Sequence, residues 1–288
     1  KKDWEFQKKI TETSLDTSTT PEEEKISYKQ PSNISIQIDK KSIEKVLEQL
    51  GEQIIDARIS KDGRSTWVSY VSNIVSHTYG YKPIGLDLAN GNMGIAVFLS
   101  ALYAYTNERR YLRVTKESLR PIFDILNERW ARREFALRFG TGGTTGVGSI
   151  IYGITKVAKY LDDKSYLNRA YSFYQTITTK DVKTSLREDV VSGNAGLLLS
   201  LIELDHHLDK KELRDEIKDV TDHIIKKGFE KNRFIGWEYQ QSKRLLGFSH
   251  GSSGILYALT KYLNYSKDPA LTEKIQKIIE HEESHYSV

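Results

Sequence analysis

Gly193-Asn194-Ala195-Gly196-Leu197 is one of four segments built to a common grammar. The others are Gly91-Asn92-Met93-Gly94-Ile95, Gly146-Val147-Gly148-Ser149-Ile150 and Gly251-Ser252-Ser253-Gly254-Ile255. Each opens an apolar run at helical spacing; after the second, Ile150, Ile151, Ile154, Val157, Ala158 and Leu161 share one face. Each run meets a short polar turn, at Thr106-Asn107-Glu108, Leu161-Asp162-Asp163, Asp205-His206-His207 and Ser266-Lys267-Asp268. A second, more amphipathic helix then starts near Tyr111, Tyr166, Glu212 and Ala270. From the fourth motif position to the leucine of that second helix the step is 18, 18, 17 and 17 residues, whereas motif follows motif at 55, 47 and 58. The helix pair is therefore the constant unit and the return connection is variable.

The first helix of each pair is apolar almost all round, so it belongs inside; the second carries a polar face, as in Lys210 to Lys227, so it belongs outside. The sequence predicts an all-α chain, an incomplete α/α toroid with inner and outer helix layers. Paired glycines at the start of each inner helix let backbones approach closely there. They leave free N–H groups facing a common opening, where any chemistry should sit. An α-solenoid of stacked helix pairs is the plainer alternative, but its repeats are usually shorter and need no paired glycines at a buried helix start.

Working outward, helical spacing begins at Ser42 with Ile43, Val46, Leu47, Leu50, Ile54 and Ile55 on one face. Residues 1–41 differ. Trp4 to Leu15 could form one isolated helix, residues 16–24 are polar and acidic and read as a linker, and Ile34, Ile36 and Ile38 alternate as in a short extended arm. The 288 residues carry a net charge of +4 with both signs interspersed, so no basic stripe points to nucleic acid. The absence of cysteine excludes disulfides, thiolate metal ligands and a thiolate nucleophile within the chain. No apolar run approaches the roughly 20 residues of a membrane helix.

Two motifs go beyond architecture. Asp189 precedes the glycine turn at Gly193 by four residues, and His250 directly precedes Gly251. Both would sit at the mouth of adjacent inner helices, where a carboxylate and an imidazole can work as an acid–base pair near neutral pH. The bland alternative is that Asp189 caps a turn and His250 bonds a loop. His281-Glu282-Glu283-Ser284-His285 matches the H-E-x-x-H zinc pattern. It aligns with an ordinary outer helix, and only three residues follow His285, so it is set aside.

Gly247-Phe248-Ser249-His250-Gly251, with four glycine-turn repeats and Gly236-Trp237 upstream, resembles the cyclase fold of the lanthionine synthetases. Ile54 to Trp67 and Pro83 to Leu88 resemble the entry to the cyclase domain of class II lanthipeptide synthetases, and Trp4 to Leu15 resembles the tail of their dehydratase domain. The resemblance implies that residues 1–41 are that tail plus linker and residues 42–288 the first half of the cyclase domain, about four of roughly seven helix pairs. Such enzymes are cytoplasmic and add cysteine thiols of a precursor peptide to dehydroalanine or dehydrobutyrine, forming thioether rings. The family's catalytic aspartate falls on Asp189 and its histidine on His250. In the complete enzyme a zinc ion activates the thiol; its ligands, two cysteines and a histidine, belong to later repeats and are absent here. The implied partners are the precursor peptide and the remainder of the synthetase, and the segment alone is expected to be inactive. Two other readings stay open: a helical peptide-binding scaffold without catalysis, and another α/α-toroid enzyme such as a glycoside hydrolase, which would need a second carboxylate across the opening from Asp189. An open last helix pair would also favour self-association.

Overall fold

The computed structural model describes residues 8, 11–12, 39–73, 78–231, 234–240 and 243–285. The helix expected over Trp4 to Leu15, the linker and the extended arm lie outside these, except for Lys8, Thr11 and Glu12, which are helical, and Asp39. Helix α1 (Lys40–Asp56) is capped by Asp39, whose side chain accepts from the Ser42 N–H at 2.7 Å. Two antiparallel hairpins follow: β1 (Ile59–Lys61) with β2 (Arg64–Thr66), and β3 (Val68–Asn73) with β4 (Thr78–Pro83). Asp62 and Gly63 turn the first at φ of 51° and 73°, the double positive φ of a two-residue hairpin loop.

The four glycine motifs start the inner helices α2 (Asn92–Thr106), α5 (Val147–Leu161), α8 (Asn194–Leu208) and α10 (Ser252–Ser266). Their partners are α3 (Arg109–Asn127), α6 (Ser165–Tyr174), α9 (Lys211–Lys227) and α11 (Ala270–Glu283), each starting within two residues of the position read from the sequence. Short helices α4 (Arg129–Phe139) and α7 (Thr179–Thr184) occupy the second and third connections. The fourth holds two more hairpins, β5 (Phe229–Lys231) with β6 (Phe234–Gly236), and β7 (Glu238–Gln240) with β8 (Lys243–Arg244). The inner helices lie side by side in chain order, α2 on α5, α5 on α8 and α8 on α10, with the outer helices packed on them. This is the incomplete α/α toroid, with hairpins added in its connections.

Burial follows the expected layering. In α8 the residues Ala195, Leu197, Leu198, Leu201 and Leu204 are all fully buried, and in α9 the buried residues form one stripe, Leu213, Ile217, Val220, Thr221 and Ile224. Each inner helix ends on a left-handed residue, Asn107, Asp162, Asp209 or Lys267, so each pair reverses through the same tight turn. Apolar side chains remain exposed on α1, at Ile43, Val46 and Leu50, just before the last inner helix, at Phe248, and on that helix, at Tyr257.

The N-terminal turns of the inner helices are stitched together by backbone hydrogen bonds. Ala89 N–H donates to Thr144 O (3.0 Å), Gly143 N–H to Val190 O (3.0 Å), and Val191 N–H to Ser249 O (3.3 Å). Glycine is needed for this approach. A Cβ on Gly196 would lie 2.0 Å from Val190 O and 2.3 Å from Gly143 N. All four inner helices thus present their N-termini at one mouth.

Candidate active site at the mouth of the helix arc

The third and fourth turns bring Asp189 and His250 into contact, with Oδ2 of the carboxylate 3.1 Å from Nδ1 of the imidazole. Asp189 is 2% exposed, and its Oδ1 accepts from the Ser192 N–H at 2.7 Å. One oxygen of Asp189 thus closes its own turn while the other faces the imidazole. The first repeat offers an internal comparison. Asp87 stands at the matching position, is also buried, and accepts from the Asn90 N–H at 2.6 Å, but the residue before Gly91 is Asn90, and among the described residues no imidazole faces it. Turn closure is common to both aspartates, and the carboxylate–imidazole contact belongs to Asp189.

Because Asp189 occupies Nδ1, the neutral ring carries its proton there and Nε2 is the nitrogen left to act. Around the pair lie Arg187, Trp237, Tyr239 and Gly251. The enclosed space against them is only about 10 Å³, too small for a ligand, so a substrate must approach from the open side. There a groove of about 440 Å³ shares Val190 and Phe248 with the mouth and runs down between α5, α8 and α10 past Tyr257 to Lys156, Glu203 and Lys261. Lys156 donates to Glu203 at 2.6 Å. Burial disfavours both charges, but the bond outweighs it: the lysine is held above its ordinary value and the glutamate below. His206 and His207 are exposed; His206 lines the groove, and His207 Nε2 lies 3.9 Å from Glu203.

Sequence reasoning missed three neighbours. Tyr239, on β7, packs its ring against His250 with centroids 5.0 Å apart, and the Arg187 guanidinium lies 4.7 Å from the Tyr239 centroid. The available signal was Tyr239 standing two residues after Trp237, on the strand following Gly236-Trp237. The third is Glu188, the residue beside Asp189, which turns away from the mouth toward α9. It accepts from Asn194 Nδ2 at 2.8 Å, and its Oε1 lies 3.4 Å from His223 Nε2, yet neither of those two atoms makes a hydrogen bond. Burial pushes the Glu188 carboxyl up to about 7, with Asp189 adding to it and Asn194 and Lys227 opposing. Burial, then Lys227, Lys183 and Lys226, push His223 down, so the couple is favoured as a neutral acid beside a neutral imidazole.

The family model described as lanthionine synthetase C-like protein matches residues 82–288, well over half of the chain. The chain belongs to the lanthionine synthetase C-like family. The match covers all four glycine turns of this lanthionine synthetase C-like chain and begins after α1 and the first hairpin. Among solved structures, the chain is similar to a cellobiose 2-epimerase from Bacillus thermoamylovorans B4167, at 12% identity and a TM-score of 0.47, over 86% of this chain and 74% of that one. It is also similar to a family 76 glycoside hydrolase from a bovine Bacteroides thetaiotaomicron strain, at 12% identity and a TM-score of 0.46, over 86% of this chain and 57% of that one.

The residues present do not fit the zinc ion associated with this family. The chain has no cysteine, and among the described residues no three His, Asp or Glu side chains come together as a metal-binding group. Of the H-E-x-x-H segment, Glu282 is taken up by Ser252 and Ser253 Oγ, while the His281 and His285 rings meet edge to face with centroids 4.7 Å apart. Glu282 thereby ties the start of α10 to α11, a structural use of the motif. Among the described residues no helix is long and apolar enough to cross a membrane.

Proposed function

We propose that this chain is part of a class II lanthipeptide synthetase, a cytoplasmic enzyme, and that Asp189 and His250 serve its thioether-forming cyclase. The 3.1 Å contact between them, at the mouth of a lanthionine synthetase C-like domain, carries the reading. The substrate is a precursor peptide bearing a cysteine and a dehydroalanine or dehydrobutyrine. As the thiolate sulfur bonds to the β-carbon, the π pair of the acceptor moves toward the carbonyl as an enolate. His250, protonated, delivers its Nε2 proton to the α-carbon, completing the ring. Asp189 holds Nδ1–H, fixes which nitrogen faces the substrate, and stabilises the imidazolium before transfer. Activation of the thiol is assigned to none of the residues described here. The groove of about 440 Å³ past Val190 and Phe248 is where a segment of that peptide would lie.

The addition is an isomerisation, and this gives the test. The complete protein, given a dehydrated precursor peptide, should convert it to a product of unchanged mass that no longer reacts with a thiol-alkylating reagent. A peptide that binds tightly but keeps its free thiol would favour the scaffold reading; release of reducing sugar from an oligosaccharide would favour the hydrolase.

A further inference from the structure

We propose that Tyr239, backed by Arg187, is a positioning residue that fixes the plane of the His250 imidazole. This rests on His250 being the working imidazole of the site. The imidazole turns about its Cβ–Cγ bond, and a single hydrogen bond at Nδ1 restrains that torsion only loosely, so Nε2 can still swing out of the working plane. A second contact on the ring face removes that freedom. Tyr239 supplies it, at 5.0 Å between centroids and with planes inclined by 52°, within the range of favourable aromatic pairing. Arg187 stacks on Tyr239, and its own backbone is pinned: its carbonyl accepts from Asn194 N–H (3.3 Å) and Ser185 Oγ (2.8 Å). The chain of contacts thus runs from the start of α8, through Arg187 and Tyr239, to the imidazole that Asp189 holds from the other direction.

An internal repeat separates this role from simple packing. The connection before α2 and the connection before α10 share one plan: an outer helix, a hairpin, a tryptophan and a second hairpin. In both, the indole N–H donates to the carbonyl of the residue 13 positions earlier, Trp67 to Ile54 (2.6 Å) and Trp237 to Ile224 (2.8 Å). The architecture is therefore satisfied without an aromatic ring two residues after the tryptophan, where the first copy has Ser69 and the second Tyr239. It is likewise satisfied with Asn90 before the glycine cap, where the second copy has His250. The ring and the imidazole occur together, in the copy that faces Asp189.

The test is nitrogen-detected NMR of the His250 ring in this chain, which reads ring order without reference to any reaction. Tyr239→Phe should retain the wild-type Nδ1–H tautomer preference. Tyr239→Leu should weaken it by about five-fold, the fold-change of a typical aromatic-pair contribution, with the remaining amide spectrum unchanged. Arg187→Gln, which keeps the ring but removes its backing, should give a smaller shift in the same direction. It also serves if Tyr239→Leu does not fold. In the complete protein Tyr239→Leu should lower kcat with little change in KM, and Tyr239→Phe should restore it. Wild-type tautomer populations in both Tyr239→Leu and Arg187→Gln would overturn the proposal. A shifted tautomer with unchanged ring formation would keep the positioning role and instead remove His250 from the reaction.

Discussion

Asp87 and Asp189 form a matched pair that separates architecture from chemistry. Each buries one carboxylate oxygen against a backbone N–H three residues on, at 2.6 and 2.7 Å, and so closes the turn that starts an inner helix. Replacing either with alanine removes that acceptor at a cost of about 1 kcal/mol, which for a chain of this size lowers the melting temperature by about 2–4 °C. Asp189→Ala should melt at or a few degrees below Asp87→Ala, because it also gives up the contact with His250. They should differ in ring formation by the complete protein, because only Asp189 also holds an imidazole. A charge-assisted hydrogen bond contributes about 1.5–3 kcal/mol. If that stabilisation is realised as the imidazolium forms, Asp189→Ala lowers kcat about ten- to a hundred-fold and Asp87→Ala leaves it within two-fold. Asp189→Asn sharpens the contrast: its amide oxygen still closes the turn, so the melting loss largely disappears, while the lost charge keeps most of the rate loss. The assay is thioether formation on a dehydrated precursor, followed by loss of alkylatable thiol. Equal rate losses for Asp87→Ala and Asp189→Ala, or a wild-type rate for Asp189→Asn, would refute the reasoning.

Glu188 makes stability depend on pH: its folded-state value of about 7 lies above the ordinary 4.5, so the folded chain holds this proton more tightly than the unfolded chain. Stability should fall by up to about 3 kcal/mol as pH rises from about 4.5 to 7 and then level off. His223, shifted downward, acts in the opposite sense, weakening the fold as pH drops below about 6.5; urea melts of Glu188→Gln should show that limb alone, and an unchanged profile would clear Glu188 of the effect. Gly196→Ala forces its Cβ against Val190 O and should cost about 3 kcal/mol or more, whereas Gly80→Ala, with nothing within 4 Å, should be nearly neutral; chemical denaturation distinguishes them, and similar midpoints would contradict the stitched-turn account.

The fold was legible because its determinant is local. Glycine at Gly196 and Gly143 is demanded by backbone approach within one short turn, and four copies of that turn announce four parallel inner helices. The convergence of Asp189 and His250 followed from the same turns, since each residue stands at a fixed offset from its glycine. What escaped was set by the variable connections. The hairpins β5–β6 and β7–β8 have strands of three residues or fewer, too short to show alternation, so the one signal for Tyr239, its place two residues after Trp237, did not by itself bring the ring over His250. Helix α4 was hidden inside the 55-residue step between the first two motifs. The Glu188–His223 couple joins residues 35 positions apart on different elements, and its buried, unbonded atoms are a property of packing that no spacing encodes.

Ring closure by the complete protein carrying His250→Ala is the most direct trial of the account. With the folded state verified by its melting curve, thioether formation on a dehydrated precursor should fall at least a hundred-fold, because the enolate loses the proton donor that Asp189 holds in place. Rings formed at the wild-type rate and in the wild-type pattern would show that the contact at the mouth of the helix arc is structural and that the proton comes from elsewhere.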